Sequence, residues 1–375
     1  MRIGLLSAAF PPDKDGIGDY TFRLARELSG SGNKVTVLTS FGKARLECPR
    51  VDVVPFFDPA RPASIGGLAE TLLKRPPLEW LVLQYNPFGF GPRGFCPGLP
   101  VALRKLKKVI PGTRIAIMCH ETYYTPWHPI RLGIMRVWQC PILAALAWVG
   151  DKLMASTERW VRQVELFSFG KPARFAPVGS NLPDSLEDPG AVREEFGVAK
   201  KFVAGLFGSA HISRHVDWVA AATRELSRTR PGEVAVFYIG GDGRVIAPQF
   251  EGIQFLDFGF LEADKAAARI KAMDALLSPF ADGISARRGS AICGLQQGIP
   301  VVSNIGPSTD QIFKDWNRKG VCLSEGGLEG FVSTFQEVAA NSDLRSSVSR
   351  GARALYEKTF SWSKIASNYV EILTA

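Results

Sequence analysis

Along this chain, short and nearly continuous apolar runs alternate with longer stretches in which apolar residues recur every three or four positions. The first pattern is that of a strand buried on both faces, and the second that of an amphipathic helix. Arg2–Ser7 predicts a strand, Tyr20–Ser29 a helix with Leu24, Ala25 and Leu28 on one face, and Lys34–Thr39 a second strand. Ala69–Lys74 and Leu99–Val109 predict helices, and Trp80–Gln84 and Arg114–Cys119 strands. Ile130–Val149 reads as one or two helices and Lys152–Ser156 as a strand. This repeated β-α order implies a parallel sheet covered on both faces and doubly wound by right-handed crossovers.

A second series follows the linker-like stretch Pro183–Pro189. Phe202–Phe207, Val234–Ile239, Ile253–Asp257, Ala275–Pro279 and Pro300–Ser303 predict strands. Val216–Arg228, Lys265–Met273, Ser290–Gln297, Leu328–Asn341, Asp343–Thr359 and Trp362–Leu373 predict helices. The expected fold is therefore α/β, with two Rossmann-like, doubly wound domains facing across a cleft. Ligands bind at the C-terminal edges of such sheets, so the polar loops that follow strands are the candidate sites.

Composition changes this picture little. The chain has 375 residues, 46% hydrophobic and 22% charged, which suits two globular domains of ordinary size. A net charge of +9 favours anionic partners such as nucleotides or phospholipid headgroups. The densest basic cluster, Arg104-Lys-Leu-Lys-Lys108, has no interleaved aromatics, so nucleic acid is not the expected partner. Cys48, Cys96, Cys119, Cys140, Cys293 and Cys322 show neither zinc-ligand spacing nor a Cys-x-x-Cys pair. No metal or resident cofactor is expected. The N-terminus opens as a strand, and the apolar stretch Val137–Val149 is too short to span a bilayer, so a soluble cytoplasmic protein is expected.

Five loops carry candidate chemistry. Asp282-Gly-Ile-Ser-Ala-Arg-Arg-Gly-Ser290 lies between a strand and a helix. Helix N-terminal N–H groups beside Arg287 and Arg288 make an anion site, Gly289 and Ser290 sit at the helix start, and Asp282 suits sugar hydroxyls. The plainer alternative is a βα turn with solvated arginines. Gly208-Ser-Ala-His-Ile-Ser-Arg-His215 offers Gly208 and Ser209 for close backbone approach and Arg214 for phosphate, or is a solvated helix start. Asp15-Gly-Ile-Gly-Asp-Tyr20 places Gly16 and Gly18 at the first helix start, as a ligand turn or a plain tight turn. Gln84-Tyr-Asn-Pro-Phe-Gly-Phe-Gly91 offers Tyr85 for polar-organic recognition, or stabilises itself through its own aromatics. His120-Glu121 ends a strand, followed by Tyr123, Tyr124, Trp127 and His128, and a histidine there can bind a ligand or be structural. All four histidines, with His211 and His215, fall in such loops.

These residues together resemble the GT-B glycosyltransferases, and within them the family 4 type, over nearly the whole chain. Phe10–Tyr20 with Leu24–Leu28 and Lys34–Leu38 is similar to that family's opening. Pro177–Leu182 resembles the entry to its second domain, Ile239–Gly243 its glycine-rich strand end, and Leu277–Val302 its donor-sugar motif. Phe360-Ser-Trp362 and the helix beyond resemble the tail that returns to the first domain. The Asp282–Ser290 loop is similar to that of a bacterial subgroup that builds glycans. Ser285 and Cys293 stand where the usual pattern has two glutamates, the second holding the ribose, and Val219 stands where it has a lysine.

The resemblance implies a transfer of sugar from a nucleotide diphosphate to an acceptor, with retention and without a metal. It divides the chain into an acceptor domain over 1–182, a donor domain over 183–358, and a crossing helix over 359–375. Gly16, Gly18, Gly208, Ser209, Arg287, Gly289 and Ser290 are implied in donor binding. His120, Arg214, Asp282 and Arg288 are implied in catalysis, and Asp19, Tyr85 and Glu121 in acceptor binding. A glycan or lipid-linked acceptor brings peripheral membrane contact into view. A nucleotide-sugar epimerase and a non-catalytic sugar-binding protein of the same architecture are the alternatives.

Overall fold

The structure is a computed structural model that describes residues 1–13, 15–41, 48–123 and 133–375. Tyr124, Trp127 and His128, and the start of the helix expected from Ile130, lie outside the described residues. The chain forms two compact units, Met1–Pro177 with Trp362–Ala375, and Val178–Ser361.

The first unit is built on β1 (Arg2–Leu6), β2 (Lys34–Ser40), β3 (Val51–Phe57), β4 (Trp80–Tyr85), β5 (Arg114–Cys119), β6 (Lys152–Ala155) and β7 (Ala173–Phe175). They form one parallel sheet in the order β3-β2-β1-β4-β5-β6-β7. Every residue of β4 is buried, as expected of a central strand with helices on both faces. Leu81 and Leu83 of β4 and Ile115 and Ile117 of β5 share a core with Leu103 and Leu106 of helix Gly98–Val109 and Leu143 and Leu146 of helix Arg136–Val149. That second helix is thus a crossover helix, although Val137 and Trp148 stay exposed on its other side. The Lys171 ammonium caps its end by donating to the Ala147, Trp148 and Gly150 carbonyls at 3.1, 2.8 and 2.7 Å. No helix among the described residues is long and apolar enough to cross a membrane.

The second unit carries β8 (Phe202–Phe207), β9 (Val234–Ile239), β10 (Gln254–Asp257), β11 (Ala275–Leu277), β12 (Val301–Asn304) and β13 (Val321–Ser324). Its parallel sheet runs β10-β9-β8-β11-β12-β13. The strand order therefore reverses between β1 and β4 in one unit and between β8 and β11 in the other. Loops leaving strands at such a point diverge to opposite faces and leave a crevice.

Three strands were not legible in the apolar pattern, and all lie at sheet edges. β3 contains Pro55, tolerated there because an edge strand needs fewer ladder donors. β7 spans only Ala173–Phe175, and β13 follows a break of charge and glycine at Arg318-Lys-Gly320. The unit boundary also differs from the expected one. Val178–Leu182 belongs to the second unit, since Val178 N donates to Ala286 O at 3.2 Å and Gln296 Nε2 to Leu182 O at 3.1 Å. Pro189, read as linker, opens helix Pro189–Glu195, whose first turn the Asp188 carboxylate caps. The chain returns to the first unit at Trp362, where helix Trp362–Thr374 lies against helix Gly16–Gly30.

Candidate functional site

In the second unit the loops after β8 and β11 meet at the point of strand-order reversal. They are tied by a short antiparallel pairing of Arg214 with Phe280, in which His215 N donates to Pro279 O at 3.2 Å and Ala281 N to Ser213 O at 3.0 Å. This pairing brings Arg214, Asp282, Arg287, Arg288 and Ser290 into one constellation. Arg214 Nη2 donates to Ser290 Oγ at 2.8 Å, in the first turn of helix Gly289–Gln296. Arg287 Nη2 donates to Asp282 Oδ2 at 3.0 Å, and Arg288 Nη2 donates to Asp282 Oδ1. The buried Phe280 ring lies beneath, its centroid 4.2 Å from the Arg288 guanidinium carbon and 5.0 Å from that of Arg214.

The electrostatics of this group favour an anion. Three guanidiniums face one carboxylate, which leaves two positive charges. Burial, then repulsion from Arg288, pushes the Arg214 guanidinium down to about 10, so it remains charged at neutral pH. Its Nη1 is shielded from solvent and has no hydrogen-bond partner. An unmet buried donor on a cation is costly, and an anionic oxygen is the partner that would satisfy it. Burial raises the Asp282 carboxyl, but Arg288 and Arg287 outweigh it and hold it below the usual carboxylate range.

Neighbouring loops hold the constellation rigid. Asn304, at the end of β12, clamps the Phe280 backbone by accepting from its N at 2.8 Å and donating to its O at 2.9 Å. Asp310 Oδ2 accepts from Ala286 N at 2.7 Å, and Asp242 Oδ2 accepts from Ala210 N at 2.7 Å. Gly283, at φ +83°, has no room for a side chain, because a Cβ there would lie 2.5 Å from Gly306 N. Gly208, at φ +104°, lets its backbone pass beside Arg214, where a Cβ would be 3.2 Å from Nη2. Ser209 beside it is exposed, and Gly289 is partly open.

The first unit's corresponding edge is different in kind. The Asp15 carboxylate caps helix Gly16–Gly30 by accepting from Ile17 N at 2.9 Å and Gly18 N at 2.8 Å. The Gly18 N–H expected to face a diphosphate is therefore already taken, and by a negative group. Gly18 is required for a different reason, since a Cβ would sit 3.2 Å from the Ala9 and Phe10 backbone, while Gly16 faces open space. Asp19 is half-buried, and burial raises its carboxyl despite the opposing pull of Arg23. An acidic edge of this kind suits hydroxyl groups better than phosphate.

Tyr85 does not present itself to a ligand. It is the last residue of β4, and strand parity turns it into the core beside Phe57, Phe90 and Cys119, with its hydroxyl shielded and unpartnered. Its neighbour Gln84 points to the other face and meets His120, with Nε2 to Oε1 at 2.7 Å. His120 is itself buried, and burial lowers its imidazole to about 3, so the ring stays neutral. Donation from Nε2 to Gln84 leaves Nδ1 as the acceptor. Glu121 is half-buried beside it. The other described histidines are engaged locally. The His215 ring stacks on Trp218 at 4.3 Å, and His211 Nδ1 lies 3.0 Å from Ser213 Oγ.

Ser285 and Cys293, at the two glutamate positions of the usual pattern, are both buried, the latter against Ser180 Oγ at 3.1 Å. Neither supplies a carboxylate. The sequence did not single out Phe280, Asn304, Asp242, Asp310 or Phe260. Strand-end position was the available signal for Asn304 and Phe280, and the Gly240-Gly-Asp-Gly243 turn for Asp242. Phe260 follows β10 and is exposed, with its ring lying over Gly241, where a Cβ would be 2.6 Å away.

No family model matches the chain, and no curated protein matches it by sequence. Solved structures do match it in fold. Sucrose-phosphate synthase from Thermosynechococcus elongatus is similar to all of this chain over 98% of its own, with TM-score 0.75 and 13% identity. Anabaena HepE, solved in complex with UDP and glucose, is similar over 100% and 99% of the two chains, with TM-score 0.70 and 13% identity. WaaG, a glycosyltransferase involved in lipopolysaccharide biosynthesis, is similar over 100% of both, with TM-score 0.68 and 17% identity. The chain has the GT-B glycosyltransferase fold.

Proposed function

We propose that this protein is a glycosyltransferase that moves a sugar from a nucleotide-diphosphate donor to a hydroxyl acceptor, with retention at the anomeric carbon. The observation that carries the proposal is the Arg214–Ser290–Arg288–Asp282 constellation at the strand-order reversal of the second unit, with its unmet Arg214 donor. The diphosphate would lie on Arg214, Arg288 and the N-terminus of helix Gly289–Gln296. The bond from the sugar's anomeric carbon to the diphosphate oxygen breaks, and a bond from the acceptor oxygen forms. The acceptor proton passes to the leaving phosphate, so no side chain need serve as general base. The guanidiniums stabilise the charge that grows on the leaving group, and no step requires a metal. Asp282 would accept from sugar hydroxyls, and the exposed Phe260 ring offers a face for the base. UDP in the HepE complexes supports a uridine donor.

The acceptor side would fall to the first unit, with Asp19, Glu121 and the Nδ1 of His120 meeting hydroxyl groups. A lipid-linked acceptor fits the surface formed by Arg104, whose guanidinium carbon lies 5.0 Å from the exposed Trp148 ring, together with Val101 and Lys108. Salt-sensitive flotation with anionic liposomes tests that contact, and its absence rules the contact out. The alternative of binding without turnover is favoured by one observation, the absence of a carboxylate at Ser285 and Cys293. A panel of nucleotide sugars offered with glycan and lipid-linked acceptors separates the readings. Transfer supports the first, binding with no turnover of any donor supports the second, and no nucleotide binding rejects both.

A further inference from the structure

We infer that the C-terminal helix Trp362–Thr374 holds the His120 ring in place through Tyr369, making Tyr369 and Tyr20 positioning residues of the first unit's sheet edge. Four elements contribute to one buried polar cluster. Tyr20 comes from the first turns of helix Gly16–Gly30, Gln84 from β4, His120 from the end of β5, and Tyr369 from the C-terminal helix. The Tyr20 hydroxyl donates to the Tyr369 hydroxyl at 3.0 Å, across 349 positions of sequence. The Tyr20 ring meets the His120 ring edge-on, centroids 4.7 Å apart, and Trp362 backs it at 5.2 Å. Gln84 lies between the two halves: its Oε1 accepts from His120 Nε2, and its amide, whose Nε2 is buried without a hydrogen-bond partner, borders the Tyr369 hydroxyl.

A purely covering helix has no need of this arrangement. Phenylalanine at both tyrosine positions would fill nearly the same space without burying two hydroxyls, an amide and an imidazole together. The hydrogen bond and edge-on ring contact that each member makes favour one arrangement of the cluster. The arrangement fixed here is a neutral imidazole with Nε2 donating to Gln84 and Nδ1 left to accept. Each ring atom of His120 is thereby given one role: Nε2 is spent on the protein, and Nδ1 is kept for a ligand hydroxyl. The Tyr20 ring sets the plane in which that lone pair points, and Tyr369 sets Tyr20.

The functional consequence rests on the proposed sugar transfer, but the geometry does not, and the test separates the two. The intact chain, with histidines labelled in the ring nitrogens, is compared by NMR at neutral pH with Tyr369→Phe and Tyr20→Phe. These variants remove one hydrogen bond from opposite ends and keep both rings. His120 in the parent is expected as a single neutral tautomer protonated on Nε2. In both variants its ring-nitrogen signals shift toward a mixture of tautomers, while the melting temperature changes little. With a turned-over donor and acceptor, transfer by both variants falls by about tenfold in kcat while nucleoside diphosphate affinity is unchanged. His120 signals identical to the parent's in both variants overturn the inference, whether or not a donor is found. Changed signals with unchanged transfer retain the positioning role and remove His120 from the reaction.

Discussion

Six strands of each sheet share one order, yet the sheets' C-terminal edges are opposite in charge. The second unit gathers Arg214, Arg287 and Arg288 around one carboxylate, over Phe280 and beside a helix start. The first unit closes its helix start with Asp15, sets Asp19 beside it, and buries a neutral His120. The same architecture therefore carries a net positive edge in one unit and an acidic edge in the other. The fold supplies two crevices, and the loop side chains decide what each can hold.

The sharpest way to break the comparison is Arg214→Ala. Losing one charge-assisted phosphate contact costs about 1.5–3 kcal/mol, or roughly 10- to 100-fold in nucleoside diphosphate affinity by titration calorimetry. The variant also loses the Ser290 bond and the Phe280 contact, so its folding is checked by circular dichroism and binding is compared in the folded protein. Arg288→Ala should weaken binding less, since Arg288 already spends one donor on Asp282. Equal effects of the two would remove the distinction drawn between them.

Phe260→Ala tests the same edge at its far side. Loss of a stacking face should cost about 1 kcal/mol, roughly fivefold, for a nucleoside diphosphate and nothing for pyrophosphate. Equal weakening of both ligands would mean that the ring supports the loop rather than the base.

The pH dependence of stability separates the edges further. Asp282 has a folded value below its ordinary 3.8, so its pairing stabilises the native state at neutral pH and is lost as pH falls through that lower value. His120 acts over a different window. Its folded value of about 3 lies below the ordinary 6.5, so the unfolded chain takes up a proton first, and stability falls as pH drops from 6.5 toward 3. His120→Gln should flatten thermal melts between pH 6.5 and 4, whereas Asp282→Asn should flatten them only in the more acidic range. A transfer rate with a limb near pH 6.5 that disappears in His120→Gln would contradict the neutral buried ring.

The smallest expected effect lies at the glycine turn of the first unit. Gly16→Ala meets nothing within 4 Å and should leave nucleotide binding unchanged, whereas Gly18→Ala pushes on the Ala9–Phe10 backbone and should lower the melting temperature. A loss of nucleotide affinity in Gly16→Ala would restore that turn as a donor contact.

Central strands were legible because burial on both faces leaves an unbroken apolar run, as in Arg114–Cys119, Phe202–Phe207 and Val234–Ile239. Edge strands such as β3 and β7 lack that constraint and read as loops. The arginine loops were legible because a parallel sheet delivers every strand end to one edge. What pairs with what there was not, since Arg214 reaches Ser290 across 76 positions only through the Arg214–Phe280 pairing. Two local arrangements also had signals in the sequence. Asp15 directly before a helix is a preferred cap, and the alternation of β4 puts Gln84 and Tyr85 on opposite faces. The bonds among Tyr20, Gln84, His120 and Tyr369 had no such signal, because their partners come together only through tertiary structure.

The proposed diphosphate site at the second unit's edge turns on Arg214. Titration calorimetry of UDP into the intact chain and into Arg214→Ala tests it most directly. Saturable binding to the parent and roughly 10- to 100-fold weaker binding to the folded variant are expected. Equal affinity in the two proteins would contradict it.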